Sequence, residues 1–201
     1  MERKSYFDGG LLQLIGYYIL GALITILTLG ICLPWAYTMI YKWEAKHTVI
    51  NGERLFFDGT AIGLFGSWIK WFLLTIITFG IYGFWVGIKL RKWKTAHTHT
   101  VSGAESYFDG GLLQLIGYRI FGIVITGLTL GICLPWAYTM IYKWETKHTV
   151  INGYRLRFDG TAIGLFGSWI KWFLLTIITF GIYGFWVGIK LKKWKISHTS
   201  L

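Results

Sequence analysis

The sequence predicts an all-α polytopic membrane protein. Four tandem helical-hairpin repeats would give about eight membrane helices, the second of each pair short. Short cytoplasmic β-hairpins would join them into a pseudo-symmetric bundle. Three observations lead there. A unit beginning SYFDGG near residue 7 and closing in KWEAKHT returns near 57, 108 and 158, and Phe57–Leu90 is identical to Phe158–Leu191 over 34 residues. A fixed period of this kind dictates a repeat architecture. Each unit is also strongly apolar. Hydrophobic residues make up 54% of the chain and charged residues 14%, and Gly9–Tyr41 runs without a charge. Runs of about 18 apolar residues or more are membrane-span candidates. Finally, Lys and Arg are absent from Thr28–Pro34, Thr78–Phe84, Thr129–Pro135 and Thr179–Phe185, the middle of each unit.

The first unit sets the pattern for the others. Asp8 is a natural N-cap, since its carboxylate accepts free amides at a helix start. A helix from about Gly9 to Leu29 would be about 31 Å long at 1.5 Å per residue, enough to cross a bilayer once. Thr28-Leu29-Gly30 breaks it. Pro34 suits the first turn of a second helix, which runs to about Lys46. Asn51-Gly52, between His47–Ile50 and Glu53–Phe57, predicts a two-residue β-hairpin turn, because both residues accept positive φ. Asn152-Gly153 repeats it, and Ser102-Gly103 is a weaker copy. The first strand lacks a predecessor and the last lacks a successor, so the two are expected to meet and close a ring.

One integrated domain follows, with tandem halves 1–101 and 102–201 and units of about 1–50, 51–101, 102–151 and 152–201. Two topologies remain open. In hairpins, both ends of each unit lie on one face, with the basic clusters gathered there as the positive-inside rule expects. In single crossings, successive units alternate sides. Cys32 and Cys133 occupy equivalent places, and a pair alone does not establish a disulfide.

The motif FDG…LTLGI-x-x-PWA…KW…HT resembles the YjgN-like family of uncharacterised bacterial inner-membrane proteins. The match is fullest at Leu29-Gly30-Ile31 with Pro34-Trp35-Ala36, and at Leu130-Gly131-Ile132 with Pro135-Trp136-Ala137. Units two and four depart from it, with Gly83-Phe84-Trp85-Val86 and Gly184-Phe185-Trp186-Val187. The resemblance implies a multi-pass inner-membrane protein and no activity. The hairpin topology, with its basic clusters on one face, is what would place both termini in the cytoplasm.

Few residues suggest chemistry. Lys70, Lys171 and Arg119 interrupt apolar helices, and ionisable groups at depth default to functional hypotheses. They are the candidate ligand or ion path, with snorkelling to the headgroups as the plain alternative. Lys89, Arg91, Lys92, Lys94, Lys190, Lys192, Lys193 and Lys195 form a basic cluster expected to face anionic lipid. His47, His97, His148 and His198 recur as helix C-caps, and Asp8, Asp58, Asp109 and Asp159 as helix N-caps. No metal site, cofactor or nucleic-acid partner is expected from these. Trp residues spaced by eight read as interface belts. No nucleophile elbow, P-loop, HExxH or CxxC is present, so an enzyme is not expected. The leading expectation is a conduit for an anionic solute. The alternative is a non-transporting scaffold or regulator binding anionic lipid or a partner through a basic face, and either is compatible with a homo-oligomer.

Overall fold

A computed structural model describes residues 4–100 and 104–201. Each of the four units is a helical hairpin closed at its base by short strands. Unit one comprises β1 (Tyr6–Phe7), α1 (Leu11–Leu27), α2 (Leu33–Lys46) and β2 (Thr48–Ile50). Unit two comprises β3 (Glu53–Arg54), β4 (Phe56–Phe57), α3 (Ala61–Ile77), α4 (Gly83–Ala96) and β5 (Thr98–His99). Unit three follows with β6 (Tyr107–Phe108), α5 (Leu112–Leu128), α6 (Leu134–Lys147) and β7 (Thr149–Ile151). Unit four has β8 (Tyr154–Arg155), β9 (Arg157–Phe158), α7 (Ala162–Ile178), α8 (Gly184–Ser197) and β10 (Thr199–Ser200).

The first helix of every unit is 17 residues long and the second 14. At 1.5 Å per residue these are about 26 and 21 Å, short of a hydrocarbon core of about 30 Å. Among the described residues no helix is long and apolar enough to cross a membrane. The polytopic assignment is therefore corrected, and the multi-pass inner-membrane location with it. The apolar run misled because the turn that ends the helix is itself apolar. Leu29 and Gly30 both adopt positive φ, 49° and 87°. The Gly30 amide donates back to the Thr25 carbonyl at 2.8 Å, the bond that closes a Schellman-type helix end. Leu130-Gly131, Phe79-Gly80 and Phe180-Gly181 repeat the conformation.

The helix starts also differ from expectation. Gly10 and Gly111 occupy the N-cap positions of α1 and α5 and supply no side-chain cap. Thr60 and Thr161 cap α3 and α7 by accepting from Gly63 and Gly164. Asp8 lies two residues earlier, where its carboxylate meets His47 Nδ1 at 2.7 Å and Arg54 at 2.8 Å. Asp109 repeats this with His148 and Arg155. The strict Phe-Asp-Gly has a steric cause: a Cβ at Gly9 would sit 2.5 Å from the Phe7 ring and 2.8 Å from Trp43.

Strand pairing is mostly local. β1 pairs with β2, β4 with β5, β6 with β7 and β9 with β10, each antiparallel within its own unit. The hairpins at Asn51-Gly52 and Asn152-Gly153 add β3 to β2 and β8 to β7, with positive φ at all four turn residues. The weaker Ser102-Gly103 turn falls at residues 101–103, outside the described ones. The end strands do not pair with each other, because each helical hairpin returns its second strand to its own first. The ring closes through side chains instead. α2 packs on α3 and β4, α4 on β6, α6 on α7 and β9, and α8 on β1. Ile189 from unit four joins Phe7 and Trp43 of unit one, and Ile88 joins Phe108 and Trp144 in the same way. The junctions alternate in kind, so the symmetry is pseudo-twofold.

Candidate functional site: a charged axial cavity and an apolar end

The second helix of each unit lines the centre of the ring. Its inward positions recur at i, i+4 and i+7, one face of a helix. Aligned on the recurrent Trp, the residue after it reads Glu44, Lys94, Glu145 and Lys195 around the ring. Three residues earlier the series is Tyr41, Arg91, Tyr142 and Lys192, and four earlier again it is Tyr37, Gly87, Tyr138 and Gly188. All of these but Tyr138 line one cavity of about 600 Å³.

The charges in it form two equivalent groups. Glu44 accepts from Lys94 of unit two at 2.5 Å and from Lys192 of unit four. Glu145 accepts from Lys195 of unit four and from Arg91 of unit two, each at 2.7 Å. Each carboxylate thus holds one cation from its own half and one from the other. The side chains of Glu44 and Glu145 are only 20% and 12% exposed, so partnering is a condition of their ionisation. Burial alone would raise their pKa values, but the two cations at each site overcome it and hold both carboxyls down at about 2. Lys192 moves the other way from its usual range, down to about 8. Burial is the largest cause, and repulsion from Lys94 and Lys195 adds to it against the attraction of Glu44. Lys94 and Lys195 also lie over the rings of Tyr41 and Tyr142, at 4.5 and 4.3 Å.

Toward the strands the cavity ends in threonines and then in aliphatic side chains. Thr48, Thr98, Thr149 and Thr199 each donate to the carbonyl four residues back, at 2.7 Å. Below them Ile50, Leu55, Ile151 and Leu156 form a single buried cluster across the axis, with Leu201 packed against it. Toward the turns, a Cβ at Gly87 or Gly188 would meet nothing within 4 Å, so the wall is open there.

The sequence-predicted residues fall in three places. Lys70, Lys171 and Arg119 are exposed on the first helices and do not line the cavity. Lys92 and Lys193 are exposed. Lys89 curls over Trp71 and Tyr82 at 5.8 and 5.4 Å, and Lys190 over Trp172 and Tyr183 at 5.8 and 5.1 Å. Arg91, Lys94, Lys192 and Lys195, expected to face lipid, instead face the axial carboxylates. The histidines sit at the helix C-caps. His47 and His148 meet carboxylates, while His97 and His198 hydrogen-bond Trp93 and Trp194 carbonyls at 2.9 Å. Among the described residues no three His, Cys, Asp or Glu side chains gather closely enough to hold a metal ion. Cys32 and Cys133 are free thiols.

The end opposite the strands is apolar and uncovered. Phe79 and Phe180, held at positive φ in the turns, are 98% exposed, and Leu29 and Leu130 are nearly as open. Ile77, Ile81, Phe84 and Trp85 continue the surface in unit two, with Ile178, Ile182, Phe185 and Trp186 in unit four. A patch of this kind marks an interaction surface. No protein-family model, curated protein or solved structure matches this chain.

Proposed function

We propose that the protein is a non-catalytic binding module that seats on an anionic lipid surface, its four turns lowered into one leaflet without crossing it. The single observation that carries this is the vertical order of the exposed residues. Phe79 and Phe180 mark the apolar end. Lys70 and Lys171 stand seven residues before the ends of α3 and α7, about 10 Å below along the helix. Arg119 stands nine residues before the end of α5, about 13 Å below. Interfacial elements bury their apolar faces by about 5–10 Å. Such an immersion brings these outer cations to headgroup level. The net charge of +11 favours an anionic surface. Among the described residues an aliphatic cluster lies across the strand end of the axis and floors the cavity, which supports a module of this kind over a conduit.

Co-sedimentation with vesicles tests the reading. Phosphatidylcholine vesicles containing phosphatidylglycerol should capture the protein better than phosphatidylcholine alone, and added salt should weaken capture. Phe79→Asp with Phe180→Asp should abolish it while leaving the far-UV circular dichroism unchanged. Vesicle capture that survives this double substitution, or its absence alongside turn-dependent self-association, would reject lipid as the occupant.

A further inference from the structure

We infer that the axial cavity is a binding site for a phosphate-type dianion, inorganic phosphate or a phosphate monoester. The charge balance is the first reason. Arg91, Lys94, Lys192 and Lys195 bring four positive charges and Glu44 and Glu145 two negative ones, a net +2 around one cavity of about 600 Å³. Buried charge that is not matched within a protein is costly. A dianion entering this space would make the whole set neutral.

The donors are the second reason. Each ammonium carries three N–H donors and the guanidinium five. The two carboxylates engage one donor from each cation in these ion pairs, so N–H groups remain for a ligand. The Tyr41 and Tyr142 hydroxyls line the same wall and make no hydrogen bond among the described residues; burial pushes their pKa values up, so they stay protonated donors. The neighbouring threonine hydroxyls already donate to helix carbonyls. The cavity therefore offers an excess of donors and of positive charge.

Shape is the third reason. The volume lies in the range of small-molecule sites and exceeds what a lone phosphate fills. Gly87 and Gly188 replace the tyrosines of the odd units, and the space beside them is open. That opening faces the turn end, leaving room for the organic part of a monoester. Burial, with added repulsion from Lys94 and Lys195, lowers the Lys192 pKa, and an anion seated beside it would oppose that shift.

Isothermal titration at fixed ionic strength and pH 7.5 tests the site with three probes: inorganic phosphate, glycerol phosphate and a short-chain phosphatidic acid below its micelle concentration. One equivalent should bind saturably. Preference for the phosphatidic acid would assign a lipid source, and preference for the first two a soluble one. Lys192→Met should weaken binding at least tenfold. Gly87→Leu with Gly188→Leu fills the opening without touching an ion pair, and should weaken the monoesters more than inorganic phosphate. Wild-type protein that binds none of the three at millimolar concentration overturns the inference, as does binding indifferent to both variants. Inorganic phosphate needs no lipid surface, so this outcome is separate from that of the vesicle experiment.

Discussion

Odd and even units share a fold and differ in how their two helices meet. In unit one, α1 lies along α2, and Gly21 brings its backbone against Ala36. A Cβ there would stand 3.0 Å from the Ala36 Cβ. Unit three repeats this with Gly122 and Ala137. The equivalent residues in the even units are Trp71 and Trp172, with Val86 and Val187 in place of the alanines, each valine packed on the cluster that holds its tryptophan. There α3 and α4 stand apart, and tryptophan fills the space between them. A second tryptophan reaches into the preceding unit, Trp68 Nε1 donating to the Gly30 carbonyl at 3.0 Å and Trp169 to Gly131 at 3.1 Å. The open even hairpin thus clasps the turn of the closed odd one. The same alternation governs charge, since odd units bring the axial carboxylates and even units the axial cations. The repeating structural unit is a pair of hairpins, and the fourfold look of the sequence conceals a twofold molecule.

The largest expected effect breaks the even hairpin. Trp71→Ala should cost about 3–5 kcal/mol in chemical denaturation, because a buried indole leaves a cavity that the separated helices cannot close. The reverse error, Gly21→Val, forces a methyl pair into a closed contact and should cost about 1–3 kcal/mol. Equal effects from the two would show that the hairpins do not differ in packing.

The axial charges come next. Glu145→Gln should cost about 3 kcal/mol, since it strands Arg91 and Lys195 in a largely buried site. A surface change such as Lys70→Gln should stay within about 0.5 kcal/mol. The carboxyls also set a pH signature. Their folded pKa values of about 2 lie below the ordinary value of 4.5. Their contribution is complete above pH 4.5 and is lost as pH falls toward 2. The double variant Glu44→Gln with Glu145→Gln should flatten denaturation midpoints across that window, and an unchanged slope would place the acid sensitivity elsewhere.

The smallest effect lies at the helix starts. Thr60→Ala removes the hydroxyl that accepts from Gly63 at 3.1 Å and should cost about 1 kcal/mol. Gly10→Thr installs the same cap in an odd unit, where no atom lies within 4 Å, and should gain a few tenths of a kcal/mol. A loss instead would mean that the odd helix start differs in more than its cap.

Much of the local structure was legible. Pro34 lies one residue after the start of α2, and Asn51-Gly52 made the expected turn, because both signals act through backbone dihedrals of the residues themselves. Hydropathy overstates the helix length, since Leu29 and Phe79 turn the chain with apolar side chains that read as continuation. Strand partners are not legible either: an unpaired end strand in the sequence says nothing about the strand that a helical hairpin carries back to it. The axial site leaves only a faint trace in the sequence. Glu44, Lys94, Glu145 and Lys195 alternate once the units are aligned on their tryptophans, yet each looks like an ordinary solvated charge in its own segment. Only packing shows that they share an axis.

The ion pairs that cross between halves carry a consequence for connectivity. Glu44 with Lys192 and Glu145 with Arg91 are the same contact made twice, and Ile189 on Phe7 repeats Ile88 on Phe108. Neither seam knows which one is spanned by a covalent link. A permuted chain that begins at unit three and ends at unit two should therefore assemble the same ring. Two separate copies of a single half should complement each other too, each lending the other the cation that its glutamate lacks.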